Sequence, residues 1–155
     1  MKMTLRSDSP EQTRRIAQRL GQTLKARDVL ALCGELGAGK TEFVKGLAQG
    51  LLASEASSIA SPTYVLLREY PGQLWLYHFD FYRLQAEREI HELGYEEYFD
   101  GDGVSVVEWA DKFPSIFPKR TLWIKLSVAG ETSRNLEIEP EEAALWQKRL
   151  GKIPG

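Results

Sequence analysis

Residues 29–41 read VLALCGELGAGKT, and this stretch decides the fold. Five apolar residues in a row, Val29 to Cys33, suit a strand buried on both faces, as strands of a parallel sheet are. Gly34 to Thr41 then fits G-x-x-x-x-G-K-[ST] without a mismatch. Phe43, Val44, Leu47, Ala48 and Leu51 follow at helical spacing. Strand, glycine-rich turn and amphipathic helix in that order predict a phosphate-binding loop. Glycines let successive N–H groups turn inward at an anion. The helix that follows offers its unpaired N–H groups and positive dipole end to the same anion. Lys40 can reach the β- and γ-phosphates as a point charge, and the Thr41 hydroxyl can ligate Mg²⁺.

A divalent cation at such a loop needs an acidic contact, usually from the end of a neighbouring buried strand. Two acids qualify. Asp80 ends LWLYHFD and Glu108 ends GVSVVE, each just past an apolar run where sheet ends line a ligand crevice. GVSVVE is the cleaner buried strand, so Glu108 is the favoured metal-side acid. Asp80 then holds a metal-bound water or orients the attacking one.

On either side of these motifs the chain alternates strands with helices. Residues 2–6 suit a short strand. Ser9-Pro10-Glu11-Gln12 suits a helix start, with Ser9 as cap, Pro10 in the first turn and Gln12 completing a capping box. Ile16, Leu20 and Leu24 continue it as an apolar stripe. Residues 64–70 and 74–80 predict a hairpin about Pro71-Gly72. Residues 86–99 suit short helices broken at Gly94. Residues 121–128 and 134–139 predict a second hairpin across AGET, and EEAALWQKRL a terminal helix. The whole predicts one α/β domain over residues 1–155: a central, mostly parallel sheet with added antiparallel hairpins and helices on both faces.

Composition bounds the function. The 155 residues correspond to about one domain. Hydrophobic residues at 43% and charged residues at 27% exclude a disordered, collagen-like or coiled-coil chain. Twenty Lys and Arg against 22 Asp and Glu give a net charge of −2, without the basic field that autonomous nucleic-acid binding needs. One cysteine excludes an intramolecular disulfide framework, and Cys33 reads as a small core residue. The absence of a His/Cys cluster argues against zinc. MKMTLRSDSP turns polar too soon for a signal-peptide core, and no apolar run approaches the ~18 residues of a membrane span. The expected compartment is the cytoplasm.

Four further residues carry two readings each. Thr63, in the Ser61-Pro62-Thr63 loop, is either a sensor of the γ-phosphate or a turn before a strand. Trp109 either borders the nucleotide or packs. Arg134, after AGETS, either meets a base or phosphate or is solvated. His78 alternates within its strand and reads as structural, because nothing like a catalytic triad accompanies it.

The order GELGAGKT, SPTY, YHFDFYRL, ELGYEEYF, VVEWADKF resembles the TsaE family, from about Ser9 to Arg134. The F-D-x-Y-R-L and V-E-W segments are far more telling than the phosphate loop alone. The resemblance implies a bacterial cytoplasmic Mg²⁺-dependent ATPase required for N6-threonylcarbamoyladenosine at position 37 of tRNAs that read codons beginning with A. It also implies TsaD and TsaB as partners, with ATP hydrolysis supporting turnover of their complex and tRNA met only through it. Carried over by motif, Leu36, Gly37, Ala38, Gly39, Lys40 and Thr41 bind ATP phosphates. Thr41, Glu108 and Asp80 serve Mg²⁺, and Asp80 supports hydrolysis. Trp109 and Arg134 lie near the nucleotide, and the Glu11/Thr13 segment borders the base. One departure stands out: the family commonly has a second threonine after Thr41, where this chain has Glu42. Its carboxylate is expected to point away from the phosphates. The competing readings are a small-molecule kinase, disfavoured by the lack of an arginine-bearing lid, and a nucleotide-dependent binding switch with negligible catalysis.

Overall fold

The computed structural model describes residues 1–52 and 66–153. The elements run β1 (Met3–Ser7), α1 (Pro10–Gly21), β2 (Val29–Cys33), α2 (Lys40–Leu51), β3 (Leu67–Tyr70), β4 (Trp75–Asp80), α3 (Glu87–Leu93), α4 (Tyr95–Phe99), β5 (Gly103–Glu108), β6 (Leu122–Val128), β7 (Arg134–Pro140) and α5 (Ala143–Leu150). Seven strands form one sheet in the order β1-β7-β6-β2-β5-β4-β3. The central four, β6, β2, β5 and β4, are parallel; the outer pairings are antiparallel.

β2 sits at the middle of the parallel block, so its apolar residues are covered on both sides. Leu30 and Leu32 face a core shared with α1, α2 and α5. Val29 and Ala31 face a second core, built with α3 and α4 and rich in phenylalanine. Both hairpins form, as does the helix break at Gly94, whose φ is 77°. Residues 64 and 65 of the first hairpin lie outside the described residues. No helix among the described residues is long and apolar enough to cross a membrane.

At the start of α1, Ser9 accepts from the Gln12 N–H at 3.1 Å. The Gln12 side chain accepts from the Asp8 N–H at 2.8 Å, so the capping box closes one residue earlier than expected. The buried face of α1 is Thr13, Ala17, Leu20 and Gly21, while Ile16 is only half-buried. Small residues win because α1 packs backbone to backbone on α2. A Cβ on Gly46 would lie 2.3 Å from the Arg14 carbonyl oxygen, and one on Gly21 2.4 Å from that of Leu47. The same packing brings Arg14 of α1 to Glu42 at the start of α2.

Candidate active site

The turn between β2 and α2 is shaped by glycine. Gly37 and Gly39 take φ of 80° and 102°, a region costly for residues bearing a Cβ. Gly39 is the N-cap of α2 and supplies no side-chain oxygen, so the N–H groups of the first turn keep no side-chain cap. They open on a cavity of about 470 Å³, within the range of small-ligand sites.

The sequence candidates converge on this cavity. Leu36, Gly37, Gly39, Lys40 and Thr41 form one wall, and Asp80, Glu108 and Trp109 the facing one. Register explains the meeting. β4 and β5 are parallel neighbours with Asp80 opposite Glu108, and β5 neighbours β2 with Glu108 opposite Leu32. Both carboxylates therefore emerge at the same strand ends as the phosphate loop. Asp80 is 5% exposed and Glu108 2%. Asp80 Oδ1 accepts from the Tyr82 N–H at 2.8 Å, and Glu108 Oε2 lies 2.6 Å from His78 Nε2.

Lys40 lies back over its own loop. Nζ donates to the carbonyl oxygens of Gly34 and Glu35, the latter at 2.9 Å, and sits 4.1 Å from the centre of the Trp109 ring. Burial pushes its ammonium below the ordinary lysine value, while Glu108, Asp80 and Asp111 pull the other way. Trp109, at φ 60°, also packs against Tyr82, with ring centroids 4.8 Å apart and planes tilted by 41°. It therefore joins the lysine to the segment after β4. Lys112 ties that segment to the one after β5, donating to the Tyr82 and Leu84 carbonyls at 2.7 Å each.

Arg134 reaches the loop from the β6–β7 turn. It donates to the Gly37 carbonyl at 3.0 Å and to the Ser133 carbonyl at 2.8 Å, and it lines the cavity with Thr132 and Glu131. Other candidates fall elsewhere. Ala38 is buried and lines a separate cleft behind the loop, with Cys33 and Trp123. Glu11 is exposed and pairs with Arg14 at 3.7 Å; Pro10 and Thr13 line the cavity in its place. Thr63 lies outside the described residues. Glu42 forms part of the wall, but its carboxylate is taken by Arg14 and, at 3.3 Å, by Lys45. Burial pushes that carboxyl up; the hydrogen bonds from Arg14 and Lys45 outweigh it and hold it below the ordinary range.

His78 is the residue whose role at this site the strand pattern concealed. It is fully buried and bonded to a site carboxylate, a contact that depends on the pairing of β4 with β5. Tyr95 and Tyr98 are half-buried and Phe99 is buried: Tyr98 meets Tyr77 and Phe79 edge-on, and Tyr95 meets Phe99.

A parallel core with this turn at its centre and paired acids on the adjacent strand ends defines a P-loop-like α/β domain. Residues 7–136 match the family model for threonylcarbamoyl adenosine biosynthesis protein TsaE. The chain is 43% identical over 132 residues to the tRNA threonylcarbamoyladenosine biosynthesis protein TsaE of Bacillus subtilis, covering 84% of this chain and 81% of that one. It is 41% identical over 132 residues to the TsaE of Treponema pallidum, covering 85% and 96%. The crystal structure of Bacillus subtilis YdiB superposes with a TM-score of 0.79 at 34% identity, covering 97% of this chain and 95% of that one. The chain belongs to the TsaE family.

Proposed function

We propose that this protein is a Mg²⁺-dependent ATPase of tRNA threonylcarbamoyladenosine biosynthesis, hydrolysing ATP to support turnover of the TsaD–TsaB transferase complex in the cytoplasm. Family membership supports the pathway. The observation that carries the activity is the single cavity in which Lys40 and Thr41 face Asp80 and Glu108.

The donor set fits a hard cation bound with its substrate. No group of three His, Cys, Asp or Glu able to cage a metal occurs among the described residues. Mg²⁺ at nucleotide sites needs no such cage, because phosphates and waters complete its shell. Thr41 and Glu108 would hold it, with Asp80 beside them. When bound, Mg²⁺ neutralises charge on the β- and γ-phosphate oxygens.

The chain's own groups divide the remaining work. The backbone N–H groups of Gly37 and of Gly39 to Thr41 bind phosphate oxygens, aided by the dipole of α2. Lys40 leaves the Gly34 and Glu35 carbonyls and stabilises the charge that develops on the phosphate during attack. Asp80, held by the Tyr82 N–H, orients the water and accepts its proton. Arg134 and Trp109 keep the loop closed around the nucleotide.

A net charge of −2 supports indirect contact with tRNA, through the protein partners. The test is phosphate release from ATP, with Mg²⁺ or with EDTA, alone and with TsaD and TsaB. The expected result is slow, Mg²⁺-dependent release that the partners accelerate. Transfer of the γ-phosphate to a metabolite instead of water would overturn the reading in favour of a kinase.

A further inference from the structure

Residues two apart on a strand share a face, and register neighbours do likewise. His78 and Asp80 of β4 therefore point to the same side as Val106 and Glu108 of β5. The His78 ring fills the space beneath the Glu108 carboxylate, with Nε2 2.6 Å from Oε2. His78 has no exposed surface. Its Nδ1 is buried and has no hydrogen-bond partner among the described residues.

The unpartnered nitrogen determines the tautomer. A hydrogen on Nδ1 would be a buried donor without an acceptor, and it would leave the Nε2 lone pair facing the carboxylate oxygen. A lone pair there is the cheaper alternative. The hydrogen therefore sits on Nε2 and is donated to Glu108 Oε2. This fixes the rotation of the carboxylate and engages one oxygen, Oε2, at the edge of the cavity that Glu108 lines.

We propose that His78 is a positioning residue: its Nε2–H holds the Glu108 carboxylate in the orientation that receives the divalent cation. The proposal rests on Glu108 being the metal-side acid, as in the function proposed above. Carboxylates that bind metals are commonly held by such outer partners, whose loss weakens metal binding by about 10–100-fold.

The test measures Mn²⁺, a hard cation suited to the same oxygen donors, by electron paramagnetic resonance in the presence of a non-hydrolysable ATP analogue. His78→Leu removes the donor and keeps an apolar filler; His78→Gln keeps an N–H donor of similar reach. Expected are a Mn²⁺ affinity at least tenfold weaker in His78→Leu and one within about threefold of wild type in His78→Gln. Equal affinity in wild type and His78→Leu overturns the proposal. Glu108→Gln separates the two claims: if it binds Mn²⁺ like wild type, the metal-side role of Glu108 itself fails. If it binds weakly while His78→Leu does not, only the role of His78 fails. Should His78→Leu not fold, long-range ¹H–¹⁵N correlation in the wild-type protein reads the tautomer directly. A hydrogen on Nε2 supports the proposal, and one on Nδ1 overturns it.

Discussion

Arg134 donates to the carbonyl oxygen of Gly37 across 3.0 Å, joining the tip of the β6–β7 hairpin to the middle of the phosphate loop. The two residues are far apart in sequence, yet the bond fixes the glycine whose positive φ turns the loop inward. Arg134→Ala removes a charged donor from a partly solvated carbonyl, worth about 1 kcal/mol. Binding of an ATP analogue, followed by titration calorimetry, is expected to weaken roughly fivefold with little change in thermal stability. Unaltered affinity would leave Arg134 a hairpin residue only.

Glu42 stands where a carboxylate would repel phosphate, but Arg14 and Lys45 neutralise it. Glu42→Thr is expected to change ATP-analogue affinity by less than tenfold. Its cost in stability should stay below about 1 kcal/mol, since the ion pairs are partly exposed. The Glu42 carboxyl is depressed in the folded state, so its contribution is present above the ordinary glutamate pKa and is lost as pH falls through the folded value. A tenfold or greater tightening in the threonine variant would mean that the carboxylate does act on the phosphates.

Cys33 ends β2 behind the phosphate loop. Burial, followed by the charge of Asp111, pushes its thiol up to about 12. Its thiolate fraction near neutral pH is then roughly a thousandfold below that of an ordinary cysteine. A higher-pKa thiolate is intrinsically more nucleophilic and offsets part of this, so labelling of the native protein by a thiol reagent at pH 8 should be at least about tenfold slower than labelling of the unfolded chain. Equal rates would contradict the shielding of this half-buried sulfur.

Gly46 lets α1 and α2 touch. An added Cβ would lie 2.3 Å from the Arg14 carbonyl oxygen and 2.6 Å from the Ala17 Cβ. Gly46→Ala gains about 1 kcal/mol of helix propensity, but the backbone clash outweighs it and forces the helices apart. Urea unfolding is expected to show a net loss of about 1–3 kcal/mol. A stabilised variant would mean that the α1–α2 interface is looser than described.

Much of this was legible in order along the chain. VLALC, the glycine-rich turn and the amphipathic run after it are local signals, and they yield β2, the loop and α2 at their observed places. Asp80 and Glu108 were also visible, because an acid closing an apolar run is a local pattern. The hidden features are long-range ones. Strand order decides that His78 reaches Glu108, and hairpin placement decides that Arg134 reaches Gly37; neither is encoded in a window of neighbouring residues. Ile16, Leu20 and Leu24 do meet the core, with Ile16 half-buried against it, but the closest contact of α1 was hidden for a related reason. Hydrophobic spacing finds the apolar face of a helix, whereas α1 packs through Thr13, Ala17 and Gly21 because its partner offers glycine.

The central claim is that the cavity between the phosphate loop and the two acids turns over ATP for the tRNA modification. The most direct measurement follows ATP hydrolysis and threonylcarbamoyladenosine formation together, in the complete modification mixture, for wild type and Lys40→Ala. Losing the lysine proposed to face the developing phosphate charge is expected to lower both rates by about a hundredfold. Modification and hydrolysis at wild-type rates in Lys40→Ala would contradict the account.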